Sequence, residues 1–247
     1  MPEPNAQDQT TAKSGNLNLP ASQLPPDREG HDFRSTPQWR ALRVLAEFVD
    51  GWNFLADIKK SVTIFGSARF PEGNPWYEDA RRFGRLLTDA GYSVVTGGGP
   101  GIMEAANRGA TESGGPGDSI GFNIKLPFET RANSYVEKGV GFHYFFVRKV
   151  MLAYSAQAYV YYPGGVGTLD ELTELITLVQ TKKVSADIPI ILVGRDFWTP
   201  FLEWVEKTVL EKYDAISRKD LSIYTLVDSA EEAFELVKRS PVRTEFG

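Results

Sequence analysis

The sequence predicts an α/β protein: a Rossmann-like, doubly wound parallel sheet in a single domain, with an N-terminal helical extension. Three observations predict it. Short, almost wholly apolar runs alternate with amphipathic stretches from residue 61 to residue 239, the pattern of strands buried on both faces beneath helices. Three of those runs end in glycine-bearing turns, FGSAR (65–69), TGGGPGIME (96–104) and PGGVGTLDE (163–171). Finally, the 247-residue chain has no cysteine and only two histidines, His31 and His143. That excludes disulfides, thiolate zinc sites and cysteine nucleophiles. It also argues against a His-rich metal site or a Ser-His-Asp triad, so no metal is expected.

Residues 1–35 are rich in Pro, Asn, Gln, Ser and Asp and hold too few bulky apolar groups to offset the entropy of ordering, so a disordered tail is expected. From Thr36 the apolar positions Trp39, Leu42, Leu45, Phe48, Val49 and Trp52 recur at helical spacing. Thr36-Pro37 supplies an N-cap and a first-turn proline for a helix over 36–57. The main α/β domain is expected to span 58–240, followed by a tail over 241–247. Within it the strands are 61–66, 92–96, 119–124, 158–163, 188–194 and 221–227, with a short strand within 140–146. The helices are 75–90, 102–113, 147–155, 169–183, 197–213 and 230–239.

The formal net charge of −5 argues against a large basic surface, so no nucleic-acid partner is expected. No apolar run has the length of a membrane span and the N-terminus lacks a hydrophobic signal core. The expectation is a cytoplasmic chain with no membrane partner.

The three glycine turns lie at the carboxyl ends of strands and open toward helices, which puts them on one rim of a parallel sheet, where such folds bind ligands. Glycine lets a ligand approach the backbone, and N–H groups at a helix start attract phosphate. A tight turn without ligand explains one such loop equally well; three on one rim favour binding. None matches GxxxxGK[ST] or a clean GxGxxG, which leaves a monophosphate or small nucleotide. Thr168 and Glu171 have the T-x-x-E spacing of a capping box, which competes with a catalytic role for the glutamate. A carboxylate within one turn of a phosphate loop suits a site where positive charge develops, as in an oxocarbenium-like transition state. Arg148 and Lys149, adjacent near a helix start, oppose the helix dipole and imply an anionic ligand or a carboxylate partner.

Taken together, GSAR, GGGPGIMEAAN, FVRK and PGGVGTLDE resemble the LOG ("Lonely Guy") family of cytokinin-activating phosphoribohydrolases, often misannotated as lysine decarboxylases. The resemblance covers about residues 60–240, and the form with GGGPGIMEAANRGA and FHYFFVRKVML looks like the bacterial long type. It implies hydrolysis of the N-glycosidic bond of a nucleoside 5′-monophosphate, without cofactor, in a homo-oligomer. By resemblance, Arg148 and Glu171 form the catalytic pair and Gly164, Gly165, Gly167 and Thr168 hold the 5′-phosphate with Lys149. Ser67, Gly98, Gly99, Met103 and Glu129 contact the substrate. Glu104 stands where short-type members have a small residue. A non-catalytic nucleotide-binding or sensing module is the alternative reading. Lysine decarboxylation would need an electron sink such as PLP, and no PLP-lysine context is recognisable.

Overall fold

A computed structural model describes residues 33–58, 60–125 and 132–241. The tail expected over 1–35 therefore lies outside the described residues up to 32, as does 242–247. Its boundary moves: Phe33–Ser35 form a 3-10 turn, closed by Thr36 N–H donating to the Phe33 carbonyl at 3.1 Å. The Phe33 ring meets Trp39 edge-on at 5.3 Å, and this contact orders the turn.

Helix α1 (Pro37–Ala56) starts where the sequence places it: Thr36 Oγ1 accepts the Trp39 N–H, satisfying one orphan donor of the first turn. The remaining elements alternate. They are β1 (Ser61–Phe65), α2 (Pro75–Asp89), β2 (Ser93–Thr96), α3 (Ile102–Ser113), β3 (Ser119–Ile124), β4 (Lys138–Phe142) and α4 (Phe145–Tyr154). There follow β5 (Tyr159–Tyr161), α5 (Val166–Gln180), β6 (Ile190–Val193), α6 (Arg195–Trp204), β7 (Tyr224–Val227) and α7 (Ala230–Arg239). The helix expected over 197–213 is divided: α6 contains Pro200, which has no N–H to donate, and Val205–Lys212 continue as a π-helical stretch.

All strand pairs are parallel, in the order β4-β3-β2-β1-β5-β6-β7. The chain winds outward from β1 to β4, then returns to lay β5 against the other side of β1. The strand order therefore reverses between β1 and β5, the switch point at which open α/β sheets bind ligands.

Strand side chains alternate between two cores, as the period of two requires. Tyr159, Tyr161, Ile190 and Leu192 join Leu55 of α1, Val147 and Met151 of α4, Leu172 and Leu175 of α5 and Trp198 of α6. Val62, Ile64, Val160 and Ile191 join Tyr77 and Phe83 of α2, Ile102 and Ala106 of α3 and Ala233 and Val237 of α7. The sheet is thus covered on both faces. α1 belongs to the first of these layers, where its Glu47 is fully buried. Both Glu47 oxygens accept backbone N–H groups at the entrance to α4, from His143 at 3.0 Å and Tyr144 at 3.1 Å.

Candidate active site

The three glycine turns meet at the switch point. Ser67, just beyond β1, donates its N–H to the Pro163 carbonyl at 3.0 Å, and its own carbonyl accepts the Ile102 N–H at 3.0 Å. The turns after β1, β2 and β5 are thereby tied together. Ser67 Oγ accepts the Arg69 N–H at 3.1 Å, which spends part of its hydrogen-bonding capacity on its own turn.

The turn after β2 rests on buried amides. Asn107 of α3 accepts from Thr96 Oγ1 at 2.6 Å and donates to Ser119 Oγ at 2.9 Å and the Ile120 carbonyl at 3.2 Å. Gly98 N–H donates to Thr96 Oγ1 at 2.9 Å. Asn133 closes the outer side: its N–H donates to the Gly98 carbonyl at 2.8 Å and its Nδ2 to the Gly99 carbonyl at 2.9 Å. Such a satisfied network fixes a loop in one conformation. Met103 packs beneath the turn, since a Cβ at Gly97 or Gly99 would meet its sulfur or terminal methyl.

Against this turn lies Arg148. It rises from α4, donates Nε to the Phe122 carbonyl at 2.7 Å, and passes so close to Gly97 that a Cβ there would stand 2.3 Å from its Nη2. On its other side Nη1 is 3.9 Å from Glu171 Oε1 of α5; the two side chains are 11% and 18% exposed. At that separation the two form a loose ion pair rather than a hydrogen-bonded one. Burial dominates both titrations. Desolvation raises the Glu171 carboxyl from its ordinary 4.5 to about 7, with Arg148 pulling it down less strongly. Desolvation likewise lowers the Arg148 guanidinium, against the opposing pull of Glu171. A carboxyl poised near neutral pH in a dry site has the proton affinity that acid–base work requires.

α5 begins one turn earlier than the sequence suggests. Gly165 is its N-cap, without a side-chain cap, and the helical ladder opens with Leu169 N–H donating to the Gly165 carbonyl at 3.1 Å. The capping box that the T-x-x-E spacing offered as the competing reading of Thr168 and Glu171 therefore does not form: both lie inside the helix, where neither can reach an N-cap. Thr168 is instead buried against Gly164, and Glu171 is free to face Arg148. The N–H groups of Val166, Gly167 and Thr168 form the open first turn of the helix, at the positive end of its dipole.

Lys149 turns the other way. Its Nζ lies 2.8 Å from Asp170 and 2.9 Å from Glu174. Burial acts to lower its pKa, but hydrogen bonds to both carboxylates carry it above its ordinary value. Arg148 and Lys149 thus both find the carboxylate partners that their place near a helix start implies. Glu104 accepts from the Tyr77 hydroxyl at 3.0 Å. Glu129 lies outside the described residues. Among the described residues, no group of three His, Asp or Glu side chains is placed to hold a metal ion, and no helix is long and apolar enough to cross a membrane.

Four contributors to this site were given no role from the sequence. Gly97 makes room for Arg148, Asn107 and Asn133 hold the glycine turn, and the Phe122 carbonyl orients the guanidinium. Asn107 falls within GGGPGIMEAAN, and an Asn amid small apolar helix residues is the one hint available from sequence.

A parallel, doubly wound α/β sheet with an open helix N-terminus and a largely buried Arg–Glu pair at its switch point defines a Rossmann-like protein. A sequence model of the family described as "Possible lysine decarboxylase" matches residues 103–237, more than half of the chain. The chain belongs to that family, the LOG family. It is 32% identical over 169 residues to the cytokinin riboside 5′-monophosphate phosphoribohydrolase LOG of Oryza sativa, covering 65% of this chain and 64% of that one. It is 25% identical over 155 residues to the cytokinin riboside 5′-monophosphate phosphoribohydrolase of Rhodococcoides fascians, covering 62% of this chain and 78% of that one. Among solved structures, the molybdenum cofactor carrier protein of Chlamydomonas reinhardtii aligns with a TM-score of 0.54 at 22% identity, over 73% of this chain and 97% of that one. The likeness at that identity is one of fold.

Proposed function

We propose that the chain hydrolyses the N-glycosidic bond of a nucleoside 5′-monophosphate, releasing the free base and ribose 5-phosphate. The observation that carries this reading is Glu171: a buried carboxyl held near neutrality, facing Arg148, less than two turns into a helix whose first N–H groups are open. The names of the relatives support it.

In this reading the 5′-phosphate rests on the N–H groups of the Gly164–Thr168 turn, where the helix dipole favours it. Binding energy from that non-reacting group positions the anomeric carbon. Glu171, ionised, stabilises the positive charge that grows on the ribose as the C1′–N bond breaks, and accepts a proton from the water whose oxygen bonds to C1′. The departing base takes the electron pair and a proton from solvent, and Glu171 then releases its own proton to solvent, which restores the carboxylate. Arg148 stays charged, holding Glu171 and the substrate in register. Ser67, Gly98, Gly99 and Met103 line the nucleoside side, with Glu129 assigned there by resemblance alone. Lys149 is assigned to the phosphate by the same resemblance. Its two ion pairs argue instead for a role in fixing α4 to α5.

The family description raises a different chemistry. Decarboxylation of an amino acid requires an electron sink, typically PLP on a lysine whose amine is neutral when it attacks. Lys149, the lysine beside Glu171, has its ammonium stabilised by Asp170 and Glu174. These residues do not fit a Schiff base.

Assembly into a homo-oligomer belongs to the same proposal. α1 leaves Leu42, Leu45 and Val49 at 57%, 58% and 50% exposure on one face, and α4 leaves Phe145 and Phe146 at 54% and 52%, a surplus of bulky apolar surface suited to a partner. A monomeric mass in solution would remove it.

The test is incubation with AMP and with isopentenyladenine riboside 5′-monophosphate, beside Glu171→Gln, following free base by chromatography. Release by the wild type and loss of roughly a thousandfold or more in the variant is expected for a group at the reacting centre. Tight nucleotide binding without release by the wild type would favour a sensing module.

A further inference from the structure

Helix α4 begins without a cap of its own. Its N-cap, Tyr144, makes no side-chain cap hydrogen bond. Its third position, from which a glutamate would reach back to the N-cap N–H, is the buried Val147. The acceptors come from α1 instead. Glu47 is fully buried, and its two oxygens accept the N–H groups of His143 at 3.0 Å and Tyr144 at 3.1 Å, 96 and 97 residues away in sequence. A carboxyl group in a dry core is costly unless it is well hydrogen-bonded, and a serine or aspartate in place of Tyr144 would cap the helix locally. A buried acid on a separate helix does what a local cap does not: it fixes α4 to α1.

What α4 carries is Arg148. The Arg148 N–H donates to the Tyr144 carbonyl at 3.2 Å, so the residue that Glu47 holds opens the turn bearing the guanidinium. The second anchor of Arg148 also rests on α1: its Nε donates to the Phe122 carbonyl, and the Phe122 ring meets Phe54 of α1 edge-on at 5.6 Å. Farther along, Gly51 lets α1 lie directly on α4, where a Cβ would stand 2.6 Å from the Met151 sulfur. The guanidinium has little tolerance for a shift, with Gly97 on one side and Glu171 at 3.9 Å on the other. We propose that Glu47 is a positioning residue for Arg148, which makes the N-terminal helix part of the active-site machinery rather than an appendage. The catalytic meaning of that role rests on the proposed function; the placement of Arg148 against Glu171 does not.

The experiment titrates the Glu171 carboxyl by NMR in the full chain, isotope-labelled at the glutamate carboxyl carbons, its resonance being the one absent from Glu171→Gln. Burial raises that carboxyl to about 7; Arg148 and, less strongly, Lys149 pull it down, against Asp170 and Glu174. With Arg148 loosened in Glu47→Gln, the midpoint should rise by about half a pH unit, about threefold tighter proton binding. Direct loss of a carboxylate near the site acts the opposite way, so the sign separates positioning from plain electrostatics. Arg148→Met raises the midpoint by about one pH unit or more. Adding Glu47→Gln to Arg148→Met changes it no further, because the acid acts through the arginine. Asn74→Ala removes the side-chain cap of α2, destabilises the fold elsewhere, and leaves the midpoint where it is. Glu47→Asp keeps the charge but withdraws its oxygens by one carbon; it gives a smaller rise and supplies the test should the glutamine variant not fold. An unchanged or lowered midpoint in the Glu47 variants, an equal rise in Asn74→Ala, or a full additional rise on top of Arg148→Met overturns the proposal. No substrate enters the measurement, so it stands or falls apart from whether the chain cleaves a nucleotide.

Discussion

The two long glycine turns look alike in sequence and differ in what they ask of glycine. After β2, the chain itself demands it. Gly98 has φ +70°, and a Cβ there would stand 1.8 Å from Asn123 Oδ1; Gly101 has φ +71°, and its Cβ would stand 2.2 Å from the Ser67 carbonyl oxygen. After β5, a Cβ at Gly165 or Gly167 would meet no atom of the described residues within 4 Å, and neither glycine has a positive φ. Internal packing explains the first turn completely and leaves Gly165 and Gly167 unexplained. Under the proposed function, what they provide is close approach of a phosphate to the backbone.

The largest effect expected from this contrast is on stability. Gly101→Ala would set a methyl against backbone atoms of Ser67 and Ala68, which cannot rotate away, in a left-handed conformation unfavourable to L residues. Loss of about 3 kcal/mol or more is expected from clash and strain together, read by urea unfolding. A loss below about 1 kcal/mol, the size of a backbone preference alone, breaks the claim that packing dictates this turn.

Nearly as large is the linkage at Glu171. Its carboxyl binds a proton more tightly folded, at about 7, than at its ordinary 4.5, so the folded state gains at low pH. That contribution is complete below about 4.5 and is lost as pH rises through about 7. The full difference is on the order of 3 kcal/mol. Wild-type stability should therefore decline relative to Glu171→Gln across that window, by unfolding titrations at matched pH. A wild type that gains on the variant instead would mean that Arg148, not burial, governs the carboxylate.

Gly167→Ala tests the other turn. Inside α5 and without a clash, alanine should raise stability by up to about 1 kcal/mol, its advantage over glycine in a helix. Nucleoside monophosphate affinity should fall about tenfold as the methyl blocks close approach, a loss of about 1.4 kcal/mol. Unchanged affinity would leave Gly167 without a function and return that turn to a simple connector.

The alternation of strands and helices was legible because strands buried on both faces must be continuously apolar, as in YVY of β5 and IILV of β6. The meeting of three turns was legible from the parallel order alone. Two things were not. The true start of α5 depends on Gly165 taking an extended N-cap conformation, which the T-x-x-E spacing three residues later obscures. The support of Arg148 comes from a carbonyl on β3 and the room left at Gly97; a backbone oxygen leaves no mark in composition, and the glycine is visible without showing which side chain it admits. Glu47 reads as one polar residue on an amphipathic helix, and only the packing of α1 on α4 reveals it as a cap in trans.

The smallest expected effect concerns the neighbour of Arg148. Sequence resemblance gives Lys149 to the phosphate, whereas its side chain is engaged by Asp170 and Glu174, which are 60% and 37% exposed. Pairs with partners so open to solvent contribute little, and Lys149→Ala should lower stability by about 1 kcal/mol or less. If the lysine only braces α4 against α5, nucleoside monophosphate affinity should change by less than about twofold, a fraction of 1 kcal/mol. If it exchanges its carboxylates for a bound phosphate, affinity falls much more, and with a dependence on salt. The adjacent cations of FVRK would then divide their labour differently: Arg148 would hold the carboxylate, and Lys149 would move between two anions.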